Sequence, residues 1–506
     1  MSGAESDRNR SDLFFPTGCG WHISCASVRY LQIRNSVTDK TFNMDDMPLR
    51  RGHFRVVAVA SMGQLTGAAL ATLVGIILPM LQIVRNPSLS SLAQGLVGCT
   101  SLVGIMIGAM VFGAWSDRKG YLVFFRLCPL LVLAASLLVF FTADLPWLVT
   151  GLFLMGLGIG GEYSLDSDYI SEIMPRRWKL MMVGVAKASS SLGNILVAAA
   201  CFFLLREWHD PHTWNRLVLL ISLLAVIMLL TRIRFAQSPG WLIAHGCPAE
   251  AERAVKYFLG PDVEIGEIVR RPAKKDRPKV GWRDLLRGGN GKKVIFTGIP
   301  WACEGLGVYG IGVFMPVLIM ALGLESASET PFLRIIDSVK LTTYINFFIL
   351  PGFILGLLLV NRWYHVRTQT WGFLLCAAGL AVLYAAYMLR LPVWIAVVGF
   401  MAFELFLNAG PHLMTFILPP QIYSVAERGA GAGLAAAFGK LGAVAGVLFI
   451  PLLLEWGGAG LVLLVTVGVH LLGALVTFVF GRAVLPRRRE LSLIHISEPT
   501  RPISIS

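Results

Sequence analysis

The chain has 506 residues, of which 55% are hydrophobic and 15% are charged, and its mean hydropathy is +0.67. Soluble domains carry about 25% charged residues, so this composition excludes an ordinary soluble enzyme, and the apolar content excludes a disordered chain. Basic residues exceed acidic ones, 44 to 30, for a net charge of +14. In a membrane protein this excess belongs to cytoplasmic loops, so we expect no nucleic-acid partner.

Long apolar windows recur along the chain, each near the roughly 20 residues that cross a bilayer as a helix. Only helices satisfy their backbone polar groups within one such segment, so the sequence predicts an all-α membrane protein with twelve transmembrane helices in two six-helix bundles. The windows lie at about 55–83, 92–115, 121–142, 146–171, 179–205, 214–235, 293–322, 339–360, 370–390, 392–418, 429–454 and 459–482.

These windows divide the chain into domains. Residues 47–235 and 292–484 are the predicted N-terminal and C-terminal bundles. Residues 236–291 form a cytoplasmic loop with an amphipathic stretch at 249–259, which is expected to lie along the membrane surface.

The two ends of the sequence differ from the rest. Residues 1–46 are polar and lack the layout of a signal peptide, and Met44 or Met47 could be the true start. Residues 485–506 begin as a basic tail. The part after about Glu490 resembles a translated sequencing adapter, and we expect no function from it.

Basic residues concentrate in alternate connections between the windows. Such connections remain in the cytoplasm, so both termini are predicted to be cytoplasmic and the expected location is a bacterial inner membrane. The basic residues on this side include Arg50, Arg51, Arg118, Lys119, Arg176, Arg177, Arg362, Arg367, Arg428 and the run at 487–489.

The two halves of the sequence share glycine and proline positions at nearly constant offsets. Gly75 and Pro79 recur as Gly312 and Pro316 at one offset. At a second, similar offset, three glycines of the first half recur in the second: Gly161, Gly184 and Gly193 match Gly410, Gly433 and Gly442. Ordered matches of this kind predict a duplicated, pseudo-symmetric unit, which is a transporter architecture that holds its solute near the midplane between the halves.

Signatures of other chemistry are missing from the sequence. The eight cysteines form no CxxC pair, and the histidines lack the spacing of metal ligands. The central loop has no GxxxxGK[ST], so ATP hydrolysis is unsupported. We therefore predict no enzymatic activity, no cofactor and no metal.

Ionisable residues inside the windows cost at least about 2.5–3.5 kcal/mol each on insertion scales, so they usually face the bundle interior and carry function. Glu162 and Asp166 lie four residues apart on one helix face and are the predicted proton-coupling residues. Burial could instead hold Glu162 neutral, since it has no evident partner in its half. Lys187 is level with Asp166 and Asp168 and could pair with either.

Two lysines lie deep in the predicted spans. Lys187, Ser190 and Asn194 form one polar stripe, and Lys440 has no acid at its own depth. A fixed ammonium compensates a bound negative charge, so the two lysines favour an anionic solute. Lys187 could instead be a purely structural partner of an acid.

Several stretches resemble the major facilitator superfamily. Residues 113–120 (GAWSDRKG) are similar to its G-x-x-x-D-R-x-G loop signature, which residues 361–367 repeat with Asn in place of Asp. Residues 238–242 (SPGWL) are similar to the P-E-S-P-R-W-L stretch of sugar porters. Residues 160–163 (GGEY) and 171–175 resemble elements of the phosphate:proton and related metabolite symporters.

The second half resembles the same symporters at residues 408–411, 415–419 and 439–443. Trp301 and Tyr309 occupy the ends of a W-x-x-x-D-x-x-x-Y pattern on helix 7 of that family. The central Asp is replaced by Gly305, with Glu304 beside it, so phosphate itself is in question. The resemblance implies the twelve-helix major facilitator fold.

The resemblance also implies site residues. A charge network that gates the cytoplasmic side would contain Asp117, Arg118, Glu172, Arg362 and Arg428, unless these are merely solvated loop charges. His412 could be an interhelical hydrogen bonder, and Trp301 and Tyr309 could be packing residues. The expected solute-binding residues are Tyr163, Lys187, Ser190, Asn194, Trp301, Glu304, Tyr309, Asn408, His412 and Lys440.

The sequence is interpreted as a monomeric secondary active transporter in a lipid bilayer, which moves a small polar, anionic solute by alternating access and is coupled to protons. One alternative is a neutral sugar or polyol porter, favoured by SPGWL and by Asn194, Asn346 and Asn408. The other is a transporter-like sensor that binds a solute without moving it.

Overall fold

The computed structural model describes residues 42–142, 144–233, 235–265, 285, 290–324, 330–360, 362–423 and 427–484. Nearly all of these residues are helical. Over these ranges, eleven continuous helical segments are long and apolar enough to cross a bilayer.

The first half contains spans 1 to 6. Spans 1 and 6 are each interrupted, span 1 at Ser61 and span 6 by a 3₁₀ turn and a short helix near its start. The helices are Arg51–Ala60 with Met62–Val84 (span 1), Ser91–Lys119 (span 2), Tyr121–Thr142 (span 3), Leu145–Ile173 (span 4), Lys179–Trp208 (span 5), and Pro211–Thr213, Trp214–Leu217 and Leu219–Arg232 (span 6).

The second half contains spans 7 to 12. Span 7 includes a π-helical turn, a feature that often marks functional sites in helices. The helices are Gly291–Gly305, the π turn Leu306–Ile311 and Gly312–Ala321 (span 7), Pro331–Asn346 and Ile349–Val360 (span 8), His365–Met388 (span 9), and Val393–Ala409, Pro411–Ile417 and Pro419–Ile422 (span 10).

The last helical element, Arg428–Val484, is two spans rather than one. Its 57 residues would extend about 85 Å as a straight helix, far beyond a hydrocarbon core of about 30 Å. The backbone leaves the helical region at Gly457 and at Gly458, whose φ of 64° suits only glycine. Residues 428–456 are therefore span 11 and residues 459–484 are span 12, which confirms the twelve predicted helices.

The connection after span 6 packs on the first half. It contains the helices Pro239–Ala244 and Pro248–Leu259 and a short strand, β2 (Val263–Glu264), that pairs in parallel with β1 (Phe42–Asn43). The Arg50 guanidinium donates hydrogen bonds to both oxygens of Asp262, at 2.7 and 2.5 Å, and these bonds hold the pKa of the Asp262 carboxyl below its usual value. The strand pair and this ion pair tie the chain before span 1 to the loop after span 6.

The amphipathic helix of this loop faces the protein. The apolar face of Pro248–Leu259 is buried, and the start of span 1 packs on it, with Gly52 against the backbone of Phe258. The base of the first bundle covers this face, and the predicted position along the membrane surface stays a prediction. The buried residues of the face are Ala251, Ala254, Val255, Phe258 and Leu259.

The two halves contact each other unevenly. We call the end where span 1 begins the loop end and the opposite end the far end. One buried apolar cluster at the far end combines residues of both halves, such as Leu78 with Phe314 and Val447. Toward the loop end the larger apolar clusters belong to one half each, one around Phe125 and one around Leu413, and a small cluster of Ala188, Ile349 and Phe353 joins the halves. The halves are therefore packed together at the far end.

Glycine makes this far-end contact possible. A methyl group on Gly75 of span 1 would overlap the backbone carbonyl oxygen of Val313 in span 7. We expect Gly75→Ala to lower the melting temperature of the detergent-solubilised protein, because overpacking costs about 1–3 kcal/mol. The matched control is Gly468→Ala in span 12, where a methyl group would meet no atom within 4 Å. Equal melting temperatures for the two variants would contradict this packing.

Candidate functional site

A cavity lies between the halves near the middle of the spans. Its volume is about 50 Å³, enough for water but too small for a metabolite, so the halves must separate to admit one. We call it the central cavity. Its polar lining comes from both halves: Thr72, Tyr163, Lys187, Ser190 and Asn194 from the first, and Tyr309, Asn346, Glu404, Asn408 and His412 from the second.

Lys187 projects from span 5 to the central cavity. Its ammonium donates to the side-chain oxygen of Gln64 at 3.4 Å and lies 5.6 Å from the centre of the Tyr163 ring. The predicted pairing of Lys187 with Asp166 is wrong, because Asp166 lies beside an arginine instead, and the alternative partner, the Asp168 side chain, lies outside the described residues. Span 1 contacts both residues, with Gln64 at Lys187 and Gly63 against the Asp166 side chain.

Lys440 approaches the same ring from the other half. Its ammonium donates to the Tyr309 hydroxyl at 3.3 Å and lies 5.1 Å from the centre of the Tyr163 ring. Among the side chains that the structure describes, neither Lys187 nor Lys440 has a carboxylate oxygen within 4.0 Å, although Glu304 acts on both ammonium groups from a greater distance. Two ammonium groups from opposite halves therefore meet at one tyrosine without a direct ion pair to a described acid.

A close contact between an acid and a histidine of the second half lies nearby. Nδ1 of His412 is 2.6 Å from Oε1 of Glu304, and both side chains are buried. The imidazole also stands perpendicular to the ring of Phe353, at 5.3 Å between centres. Glu304 and His412 are thus joined to each other, while only His412 lines the central cavity.

Of the other predicted solute-binding residues, three line the central cavity and one does not. Ser190, Asn194 and Asn408 line the central cavity, and Asn194 accepts a hydrogen bond from the Thr72 hydroxyl at 3.0 Å. Trp301 is not part of the lining; it packs against Gly439 and stands edge-on to a phenylalanine. Its position matches the alternative of a packing residue.

The two predicted proton-coupling acids lie outside the central cavity. Glu162 and Asp166 are fully buried within the first half, where Arg232 of span 6 lies between them and solvent has no access. The Arg232 guanidinium contacts the Glu162 carboxylate directly and lies 3.7 Å from Asp166. It also donates to the backbone carbonyls of Phe125, at 3.2 Å, and Val59, at 3.4 Å.

Arg232 is a functional candidate that the sequence analysis missed. It stands near the end of the apolar window 214–235, where an arginine usually reaches the membrane surface, and the sequence analysis gave it no role. The pattern LLTRIRF offered one signal, since the first arginine is still within the helical run. The statement that Glu162 has no partner in its half is therefore wrong.

The predicted cytoplasmic gate is only partly described. Glu172, at the end of span 4, accepts hydrogen bonds from the Ser238 hydroxyl and from the backbone N–H of Gly240 at 3.1 Å, so it binds the SPGWL stretch. Arg362 is exposed. The side chains of Asp117, Arg118 and Arg428 lie outside the described residues, and the network stays a prediction.

The buried cluster of Arg232 with its two acids yields a stability prediction. Removing the cation leaves two carboxylates without a partner in an apolar interior, which costs about 3–5 kcal/mol. We expect Arg232→Leu to lower the melting temperature markedly, and the further changes Glu162→Gln and Asp166→Asn to restore much of the loss. A single variant as stable as the wild type, measured by thermal unfolding in detergent, would contradict the pairing.

Comparisons with known proteins agree with this architecture. The profile of the "Sugar (and other) transporter" family matches residues 26–497. The inner membrane metabolite transport protein YgcS of Escherichia coli is 28% identical over 453 residues, covering 89% of this chain and 95% of that protein. A repressible high-affinity phosphate permease of Neurospora crassa is 23% identical, covering 80% of this chain and 78% of the permease.

A solved structure shares the fold. The proton:xylose symporter XylE of the major facilitator superfamily, bound to 6-bromo-6-deoxy-D-glucose, superimposes with a TM-score of 0.65 at 19% identity, covering 84% of this chain and 95% of that chain. Such a likeness shows the arrangement of the helices rather than the chemistry of the site. With twelve spans, a cavity between two halves and a family match over most of its length, the chain belongs to the sugar (and other) transporter family of the major facilitator superfamily.

Proposed function

We propose that this transporter carries a small, polar, anionic solute by alternating access and couples its movement to protons. The observation that supports the anionic solute is the meeting of Lys187 and Lys440 at Tyr163. Burying an ammonium group without a direct acid partner destabilises the protein, and a bound carboxylate or phosphate would offset that destabilisation. The fungal relative is named a phosphate permease, which agrees with an anion.

Orientation follows from the distribution of basic residues. The loop end carries exposed basic side chains such as Arg176, Arg177 and Arg362, so we place it in the cytoplasm, with both termini, and the far end outside. The far end is where the halves pack together. Entry and exit of the solute at the cytoplasmic side then require the halves to separate at the loop end, and access from outside requires the apolar cluster shared by the halves to open.

Proton coupling rests on the buried charges of the first half. Two carboxylates, Glu162 and Asp166, share the single guanidinium of Arg232 in a region closed to water. One negative charge remains uncompensated when both acids are ionised, and a proton removes it. The cluster adjoins the solute site through span 4, because Tyr163 follows Glu162 directly. The structural relative is named a proton:xylose symporter, which agrees with this assignment.

The anionic solute is tested by binding. A thermal-shift panel of inorganic phosphate, sugar phosphates, mono- and dicarboxylates and neutral sugars is applied to the purified protein, since binding raises the melting temperature with dose. We expect anions to raise it and neutral sugars not to. Lys440→Met should weaken the best anion by at least about tenfold, because a charged hydrogen bond is lost. The control, Lys340→Met, changes an exposed lysine of span 8.

The outcomes separate the alternatives. Stabilisation by sugars alone would replace the anionic solute with a neutral one. Counterflow of the bound solute in proteoliposomes is expected for a carrier. Binding without counterflow would indicate a sensor.

Proton coupling is tested with an imposed pH gradient. Uptake of the identified anion into proteoliposomes should rise with a proton gradient directed inward, and Asp166→Asn should abolish that dependence while counterflow persists, because exchange needs no net proton movement. Asp337→Asn, at the far end of span 8, serves as the control. If the uptake rate of the wild type did not change with the gradient, proton coupling would be removed from the proposal.

A further inference from the structure

One acid of the central cavity has no place in the site described so far. Glu404 of span 10 lines the central cavity with only 5% of its surface exposed. Its carboxylate accepts one hydrogen bond, from Nδ2 of Asn408 at 3.3 Å. Among the described residues, no Lys, Arg or His nitrogen lies within 4.0 Å of it.

The side chain of Asn408 adds an acceptor beside the Glu404 carboxylate. Asn408 directs its amide nitrogen to the backbone oxygen of Glu404 at 2.7 Å as well as to the carboxylate, so both amide hydrogens are used and its side-chain oxygen remains as an acceptor. The other acid of this half, Glu304, is already engaged by His412. Glu404 is thus the acid of the described lining that is free to bind a donor from the solute.

Charges of both signs therefore surround one cavity. Lys187 and the tyrosine pair that contacts Lys440 form part of the wall, and Glu404 with Asn408 forms another part. A solute with only a negative charge would satisfy the lysines and leave Glu404 buried without a cation, so that the acid would have to take up a proton or bear the cost of an unpaired charge. A solute with charges of both signs would satisfy both parts of the wall.

We propose that the transported solute is zwitterionic, with an anionic group bound at Lys187 and Lys440 and a protonated nitrogen bound by Glu404 and the side-chain oxygen of Asn408. This inference rests on the proposed anionic solute and adds a second recognition element to it. Glu404 is then the residue that selects for the nitrogen, because a site built to bind an N–H group rejects analogues that lack it.

Matched probe pairs test the inference. Each pair replaces an ammonium group with a methyl group of similar size: ω-amino alkanoates of increasing length against the corresponding n-alkanoates, and 4-(aminomethyl)benzoate against 4-ethylbenzoate. Dissociation constants are measured by titration calorimetry on the full-length protein. The wild type should prefer the ammonium member of the best pair by at least about tenfold, the value of a hydrogen bond to a charged group.

Variants locate the origin of the preference. Glu404→Gln should reduce the ratio of the two affinities to near one, whereas Glu455→Gln, at an exposed site near the end of span 11, should keep the wild-type ratio. Lys440→Met should weaken both members of the pair and preserve the ratio. The two residues are thereby tested separately.

Several results would overturn the inference. One such result is that the wild type binds both members of every pair with equal affinity, in which case the proposed anionic solute would still stand. Another is that it binds none of the probes. A preference that survives Glu404→Gln would also overturn it. The inference would also be overturned if the Glu404→Gln variant lost proton-driven uptake but kept its preference for the ammonium member, because Glu404 would then transfer protons. A Lys440→Met variant with unchanged affinities would instead remove the proposed anionic site.

Discussion

A charge buried in a membrane protein must be compensated, and this requirement organises the molecule. The apolar interior has no water to solvate an ion, so every ionised group needs a partner within the protein or from a ligand. In the first half the compensation is internal, since Arg232 holds Glu162 and Asp166 in a sealed cluster. Between the halves the compensation of charge is incomplete, since Lys187 and Lys440 directly contact tyrosines rather than acids. The difference separates a self-contained charge cluster from the site that we propose for the solute.

Close packing of helices determines where the halves can separate. Glycines allow backbone contact across the interface at the far end, as at Gly75 with Val313 and at Gly95 with Leu448. The cores of the two halves merge there into one apolar cluster, while the clusters around Phe125 and Leu413 remain apart at the loop end. An exchange of these two arrangements is what alternating access requires, because only one end can be packed tightly while the other admits solute.

The two charge systems are connected through span 4. Glu162 and Tyr163 are adjacent in the chain, and their side chains face opposite environments, the sealed cluster and the central cavity. A change in the charge of the cluster that shifts span 4 would also shift the ring at which the two lysines meet. This short path would give the proposed coupling between a proton and a solute a physical basis that needs no direct contact between them.

The sequence alone determined the number of spans, because hydrophobic length depends only on local composition and the bilayer has a fixed thickness. It also identified Lys440, Asn408 and Glu162 as buried polar residues. It did not determine their partners. Depth along a helix can be counted from a loop, but the rotation and neighbours of a helix depend on how all the helices pack, so Lys187 was matched to Asp166 although Asp166 lies beside Arg232 instead.

The tertiary structure decided the remaining assignments for the same reason. Arg232 at the end of an apolar window could reach the surface or turn inward, and only the packing of span 6 against spans 1, 3 and 4 brings it to the acids. Glu304 and His412 come from different spans and were separate candidates until the fold joined them. Composition thus placed charges within the membrane, and helix packing decided which of them neutralise each other and which remain available to a solute.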